Sequence, residues 1–156
     1  MCILKIFLIL LILILLLYKV FYGDTNNIQR RFILFLVFCI GARSLLAMIS
    51  KNINPKYLPY MAIITIPIGI GFMYTFFRSE KGTKRQMKTY NGDIWWSNLR
   101  IVHSLIYLAF SFTALLAINE KYRKDNKAWV FLVVDVLIGL IAFLNYHCNA
   151  GNFNKL

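Results

Sequence analysis

Acidic side chains are scarce in this chain, which has six Asp and Glu residues against eighteen Lys and Arg among 156 positions. All but one of the six stand isolated in predicted loops or at a helix boundary, where we expect solvated charges: Asp24, Glu80, Asp93, Glu120 and Asp125. The sequence also lacks a nucleophile–base pairing, a phosphate-binding loop and a nucleotide motif. These absences argue against an enzyme, so no catalytic residue is predicted.

Cysteine and histidine are equally rare, and their spacing excludes the common metal sites. The three cysteines, Cys2, Cys39 and Cys148, form no C-x-x-C pair. The two histidines, His103 and His147, are expected at different depths, with no third ligand at a metal-site spacing. We therefore predict neither a metal nor a cofactor.

Long apolar runs dominate what remains, since 60% of the residues are hydrophobic and 15% are charged. Five runs, at about 3–22, 32–50, 57–77, 94–118 and 128–147, approach or exceed the roughly 20 residues that a helix needs to cross a bilayer. They lack the alternation of barrel strands, and in lipid only helices or closed barrels satisfy the backbone. The sequence predicts a single all-α domain over 1–156, an integral membrane bundle of five transmembrane helices.

The first run differs from the other four in having no Gly, Ala, Ser or Thr between residues 3 and 22. Small residues let membrane helices approach closely, so we expect helices 2–5 to form the core and the first to face lipid at the edge. A cleaved signal peptide is the alternative for this run, although Lys19 and bulky residues stand where cleavage needs small ones. Pro67 predicts a kink in the third run.

The excess positive charge, +12 overall, lies mainly in loops at the ends of the apolar runs. This placement favours anionic lipid headgroups as partners and argues against nucleic acid. If all five runs cross, the loops at 51–56 and 119–127 share one side (side one), and 23–31, 78–93 and the carboxyl terminus share the other (side two). The slightly more basic side two predicts a cytoplasmic carboxyl terminus. Trp95 and Trp96 on side two, and Trp129 on side one, are predicted interface anchors.

Two opposite charges lie inside the apolar runs at matching depth. Arg43 and Asp135 are each about seven residues from the side-one end of their run, or roughly 10 Å at 1.5 Å per residue. An ionised side chain near mid-bilayer costs at least about 2.5–3.5 kcal/mol, so we predict an intramembrane ion pair. Two interpretations stay open: a structural clamp between helices, or charges that line an ion or proton path.

A second set of polar residues is predicted to cluster towards side two. Arg100 and His103 are three residues apart and share a helical face, while Asn145 and His147 end the next run on that side. We interpret this set as an interhelical hydrogen-bond cluster. A haem or metal site and a lipid-phosphate site that uses Arg100 are the alternatives.

Three stretches carry a family resemblance: the residues from Ile94 to His103, those from Ala128 to Gly139 that include Trp129 and Asp135, and the segment from Gly41 to Ala47. Together they resemble a group of small multi-span membrane proteins encoded by large DNA viruses of protists and algae, over roughly residues 30–148. The resemblance implies no catalytic residue. It implies that Arg43, Trp96, Arg100, His103 and Asp135 are signature positions, and that the protein belongs in a virus-modified host membrane or a virion membrane.

The function expected from the sequence is a structural or accessory role in a membrane, without enzymatic activity. Expected partners are the lipid bilayer, anionic headgroups at the basic loops, and a second copy of the chain or a viral protein lattice. The alternative is a small transporter or channel subunit with a polar path through Arg43, Asp135 and His103. A membrane enzyme that binds lipid or a redox cofactor is the third candidate.

Overall fold

The structure, a computed structural model, describes residues 11–12, 14–19, 22–23, 26–78, 95–123 and 127–155. Within these ranges the chain is helical and contains no strand. Four helices there are long and apolar enough to cross a membrane. We label them α1 (Asn27–Asn52), α2 (Leu58–Phe77), α3 (Leu99–Leu116) and α5 (Trp129–Asn149); α4 is the short helix Glu120–Arg123.

These four helices correspond to the last four apolar runs of the sequence. The predicted run at 32–50 begins five residues earlier in the structure, at Asn27, because Asn26 caps the helix by accepting a 2.8 Å hydrogen bond from the Gln29 amide. The helix that corresponds to the predicted run at 94–118 is shorter in the structure, Leu99–Leu116. The predicted first helix, 3–22, lies largely outside the described residues, although residues 11–12, 14–19 and 22 are helical.

α1 is not a uniform α-helix. Its middle segment, Phe35–Ile40, is a π-helix between the α-helical segments Asn27–Leu34 and Gly41–Asn52. Such wider turns are rare and often mark functional sites. In α2, by contrast, Pro67 is accommodated inside a continuous helix.

The helices pack in the spatial order α2, α3, α5, α1, with the closest pairing between α2 and α3. A Cβ atom on Gly69 of α2 would lie 3.1 Å from Leu108 Cγ of α3, so glycine is what permits this approach. Two buried polar contacts reinforce the pair. Ser104 donates to the Gly69 carbonyl at 2.8 Å, and the hydroxyl groups of Thr65 and Ser111 lie 2.8 Å apart.

The interior and the outer surface of the bundle are both largely apolar. Tyr107, Phe110 and Leu132 are almost completely buried between the helices. On the outside, Ile63, Phe112 and Ile141 are each at least 65% exposed. A water-soluble monomer rarely leaves so many large apolar side chains exposed, whereas a bilayer accommodates them.

Candidate functional site

Arg43 of α1 and Asp135 of α5 meet inside the bundle. Arg43 Nη1 lies 3.3 Å from Asp135 Oδ2, and the exposed fractions of the two side chains are 14% and 0%. The contact predicted from matched depth is therefore present in the fold.

His103 of α3 joins this pair as a third member. Its Nδ1 atom lies 2.5 Å from Asp135 Oδ1, and both ring nitrogens lie near Arg43 Nη1, at 3.0 Å for Nδ1 and 3.2 Å for Nε2. A guanidinium group only donates, so it needs a ring nitrogen without a proton. The consistent assignment places the imidazole proton on Nδ1, which donates to Asp135, while Nε2 accepts from Arg43.

Sequence reasoning placed His103 in the side-two cluster and missed its contact with Asp135. The depth estimate counted residues from the ends of each run and assumed that these ends are level and the helices parallel. His103 is in the second turn of α3 from side two, whereas Asp135 is in the second turn of α5 from side one. Their contact shows that the two helices are staggered or inclined to one another.

Two further residues shape the space around Arg43. The guanidinium carbon lies 5.2 Å from the centroid of the Phe72 ring on α2, a cation–π distance. Gly139, one turn after Asp135 on α5, faces Arg43 closely, since a Cβ there would lie 3.3 Å from Ile40 Cδ1 and 3.4 Å from Arg43 Nη1. All four long helices thus contribute to this site, which we call the Arg–His–Asp centre (Arg43, His103, Asp135).

One carboxylate oxygen of the centre lacks a hydrogen bond among the described residues. Asp135 Oδ2 is fully buried and, among the described residues, accepts no hydrogen bond of acceptable geometry, although it is within ion-pair distance of Arg43. A buried carboxylate oxygen that lacks a hydrogen bond costs free energy unless a proton or water molecule reaches it. The centre is thus electrostatically balanced but incompletely hydrogen-bonded.

A partly open cavity of about 560 Å³ adjoins the centre. Its lining combines Arg43 and His103 with Arg31 and Arg100, while most of the remaining lining is aliphatic or aromatic. Residues from α1, α2, α3 and α5 all contribute, and the cavity lies where α1 and α2 face each other without extensive packing. Its volume is within the range of about 300–1,000 Å³ typical of ligand sites.

The predicted cluster of Arg100, His103, Asn145 and His147 is divided into separate contacts in the structure. Arg100 Nη1 donates to the Thr75 carbonyl of α2 at 3.1 Å. This acceptor lies on α2, whereas the predicted cluster joined Arg100 to residues of α5. Asn145 is exposed and accepts from the Asn149 side chain, on its own helix. Arg100, His103 and His147 do share the cavity lining, from which Asn145 is absent.

His147 is buried in a set of aromatic rings at the side-two end. Its imidazole centroid is 4.4 Å from Phe32 and 4.5 Å from Phe143, and its Nδ1 lies 2.8 Å from the Asn152 side-chain nitrogen. Since the amide nitrogen donates, Nδ1 accepts and the ring proton resides on Nε2. Asn152 belongs to the 3-10 turn Asn152–Lys155, which folds back onto α5.

The three tryptophans lie at the helix ends, where the sequence predicted interface anchors, but they also make contacts inside the protein. Trp95 stacks on Tyr146 at 5.4 Å with an interplanar angle of 16°, and it meets Trp96 edge-on at 5.5 Å. Trp129 receives the Lys51 ammonium 5.0 Å from its ring centroid. Trp95, in the turn that precedes α3, therefore joins this turn to α5 on side two, and Trp129 joins α5 to α1 on side one.

Across the described ranges, no group of three or more His, Cys, Asp or Glu side chains is arranged to hold a metal ion. Comparison with known proteins adds no further assignment. No protein-family model matches the chain, and no curated protein or solved structure matches it.

Proposed function

We propose that this chain is a multi-pass integral membrane protein with a structural or accessory, non-enzymatic role, and that α1, α2, α3 and α5 all cross the bilayer. Their length and apolar composition support this proposal. So do the exposed aliphatic and aromatic side chains on the outside of the bundle. The Arg–His–Asp centre would then be the clamp that fixes how three of the four helices pack.

The observation that carries the proposal is that the charged side chains inside the bundle are paired or hydrogen-bonded. Arg43 and Asp135 pair with each other, and Arg100 donates to a backbone carbonyl of α2. A charge at mid-bilayer on a lipid-facing surface would cost at least about 2.5–3.5 kcal/mol. Inward-facing, paired charges beneath an apolar exterior are the pattern expected of a membrane bundle.

Cysteine labelling tests the membrane arrangement. Both Cys39 and Cys148 are exposed, so they are first replaced with Ser along with Cys2. Single cysteines are then introduced at Asn54, Asn154 and Ile63, all of which are exposed in the fold. We expect a membrane-impermeant maleimide to label positions 54 and 154 from opposite sides of sealed vesicles.

Ile63→Cys provides the decisive comparison in the same experiment. Its side chain is 70% exposed in the isolated chain, so a soluble bundle would label there as readily as at the other two positions. Burial in lipid predicts no labelling until the protein is denatured in sodium dodecyl sulfate. Rapid labelling of Ile63→Cys in intact vesicles would refute the membrane arrangement.

A second candidate function is a small proton-coupled transporter or channel subunit. The buried Asp135 Oδ2 without a hydrogen bond, next to a cavity that reaches Arg43 and His103, favours it. Proteoliposomes that contain a pH-sensitive dye distinguish the two functions. Proton flux that Asp135→Asn abolishes would support transport, whereas equal, background-level flux from both proteins supports the structural role.

The cellular setting is proposed from the sequence resemblance alone. The segment Gly41 to Ala47 and the stretch from Ile94 to His103 support a place in a virus-modified host membrane or a virion membrane. Anionic lipid at the basic loops and a second copy of the chain, or a viral protein lattice, are the partners proposed with it.

A further inference from the structure

The cavity between α1 and α2 has a marked charge asymmetry. Three arginines, Arg31, Arg43 and Arg100, contribute to its lining, and among the described lining residues there is no Asp or Glu. The charge of Arg43 is balanced by Asp135, which lies behind the cavity wall. A bound molecule therefore meets positive charge at the side-two end, where Arg31 begins the lining on α1.

Arg31 has a hydrogen-bond donor for which no acceptor is present among the described residues. Its Nε atom is buried, and among the described residues it has no hydrogen-bond partner. A buried donor on a charged group costs free energy unless something accepts from it. An anionic oxygen, of a phosphate or a carboxylate, is the acceptor that arginine binds best.

Below Arg31 the cavity is suited to a hydrocarbon chain. The lining residues on α1 run from Arg31 to Leu46, a rise of roughly 20 Å at about 1.5 Å per residue. Leu34, Phe38 and Leu46 contribute from α1, and Ile68 and Phe72 from α2. A free inorganic anion would leave this apolar length empty.

From these observations we propose that the cavity binds one anionic membrane phospholipid, with its phosphate at Arg31 and an acyl chain between α1 and α2. This ligand goes beyond the proposed structural role, which needs no bound molecule. The chemistry is specific in two respects: the headgroup must carry net negative charge, and the acyl chain must enter the protein rather than only touch its outer surface. A zwitterionic lipid has the same tails but brings its own cation next to Arg31.

Native mass spectrometry of the purified, full-length protein in detergent tests this proposal. The probes are phosphatidylglycerol and phosphatidylcholine with identical acyl chains, and inorganic phosphate as the probe without a chain. Two variants remove the two halves of the site: Arg31→Gln removes the charge, and Ala42→Leu fills the cavity that Ala42 lines. Arg30→Gln is the matched control, because Arg30 is the adjacent arginine on α1 and is not part of the lining.

We expect a one-to-one adduct with phosphatidylglycerol that survives collisional activation, and no such adduct with phosphatidylcholine. Arg31→Gln should weaken phosphatidylglycerol binding by at least about fivefold, whereas Arg30→Gln changes it less than about twofold. Ala42→Leu should weaken it while leaving the charge intact. If Arg31→Gln fails to fold, Ala42→Leu alone still decides whether the chain occupies the cavity.

Three results would overturn the proposal. Equal binding of the two lipids would remove the headgroup requirement. Equal losses in Arg31→Gln and Arg30→Gln would assign the binding to general attraction by the basic helix end. Phosphate binding that depends on Arg31, together with lipid binding that is insensitive to Ala42→Leu, would indicate an anion site without an acyl pocket. None of these outcomes bears on whether the helices cross the bilayer.

Discussion

The Nδ1 atom of His103 lies 2.5 Å from Oδ1 of Asp135, and this contact joins α3 to α5 in the interior of the bundle. Asp135 therefore connects α5 to two other helices, because its second oxygen, Oδ2, faces Arg43 of α1. A single carboxylate thus fixes the relative positions of three helices. Predictions about the stability of the fold begin at this residue.

Replacing Asp135 with Ala should be strongly destabilising. The change leaves the buried Arg43 guanidinium without its counter-charge and His103 without its acceptor, so we expect a loss of about 3–5 kcal/mol in the free energy of unfolding. The double variant Arg43→Met, Asp135→Leu should recover much of that loss, since it removes both charges together. Thermal denaturation in detergent measures both, and equal losses in the single and double variants would contradict a buried ion pair.

His103 should tolerate only replacements that keep a donor for Asp135. His103→Leu preserves apolar volume but leaves Oδ1 of Asp135 with no partner, and we expect it to cost about 1–3 kcal/mol. His103→Gln can still donate through its amide and should cost less. If thermal denaturation ranked the two variants in the opposite order, the hydrogen bond would not be what His103 contributes.

Gly139 should resist enlargement because of its neighbours. A Cβ there would lie 3.3 Å from Ile40 Cδ1 and 3.4 Å from Arg43 Nη1, so Gly139→Leu should displace the guanidinium and cost about 1–3 kcal/mol. Gly71→Leu is the matched control, since nothing lies within 4 Å of a Cβ at that position. We expect the control to be neutral or stabilising, because leucine has a better helix propensity than glycine. Similar melting temperatures for the two variants would rule out close packing at Gly139.

The Thr65–Ser111 contact should give a small but measurable coupling between α2 and α3. Each hydroxyl group carries one proton and also has a carbonyl of its own helix in reach, Met61 for Thr65 and Tyr107 for Ser111, so one hydroxyl donates within its helix and the other donates across the interface. A double-mutant cycle with Thr65→Val and Ser111→Ala should therefore yield a coupling near 0.6 kcal/mol, the average for polar contacts between membrane helices. A coupling indistinguishable from zero would mean that the hydroxyl groups are satisfied within their own helices.

Hydropathy and depth predicted much of this fold. The four long helices follow from apolar runs whose composition favours little else, and the pairing of Arg43 with Asp135 is predicted because few partners would exist for a charge in lipid. Counting depth failed for His103, since residue counts do not report stagger or inclination between helices. Helical periodicity indicates the inward orientation of His103 better than depth does. His103 lies on the same face of α3 as the buried Tyr107, Phe110 and Ala114, at spacings of three and four residues.

Other features of the site have weak or no sequence signatures. Arg100 donates to the backbone carbonyl of Thr75, and any residue type supplies a carbonyl, so the sequence cannot single out this acceptor. Gly139 is a small residue of the last apolar run, but its proximity to Arg43 depends on how α1 and α5 cross. The contact of Phe72 with Arg43 likewise arises only from tertiary packing, because an aromatic residue in an apolar helix does not indicate which cation it will meet.

The π-helical segment Phe35–Ile40 determines which residues of α1 face the same way. Arg31 and Arg43 are twelve positions apart, and in an unbroken α-helix at about 100° per residue they would diverge by about 120°. Accommodating one extra residue in the wider turn reduces that divergence to about 20°. The facial register of α1 therefore depends on the winding of one short segment. Rewinding this segment as a regular α-helix of unchanged length would rotate Arg31 by about 100° away from the cavity, although every residue of both sites would still be present. Deleting one residue from it should instead leave Arg31 and Arg43 on the same face, because eleven positions in a regular α-helix also diverge by only about 20°.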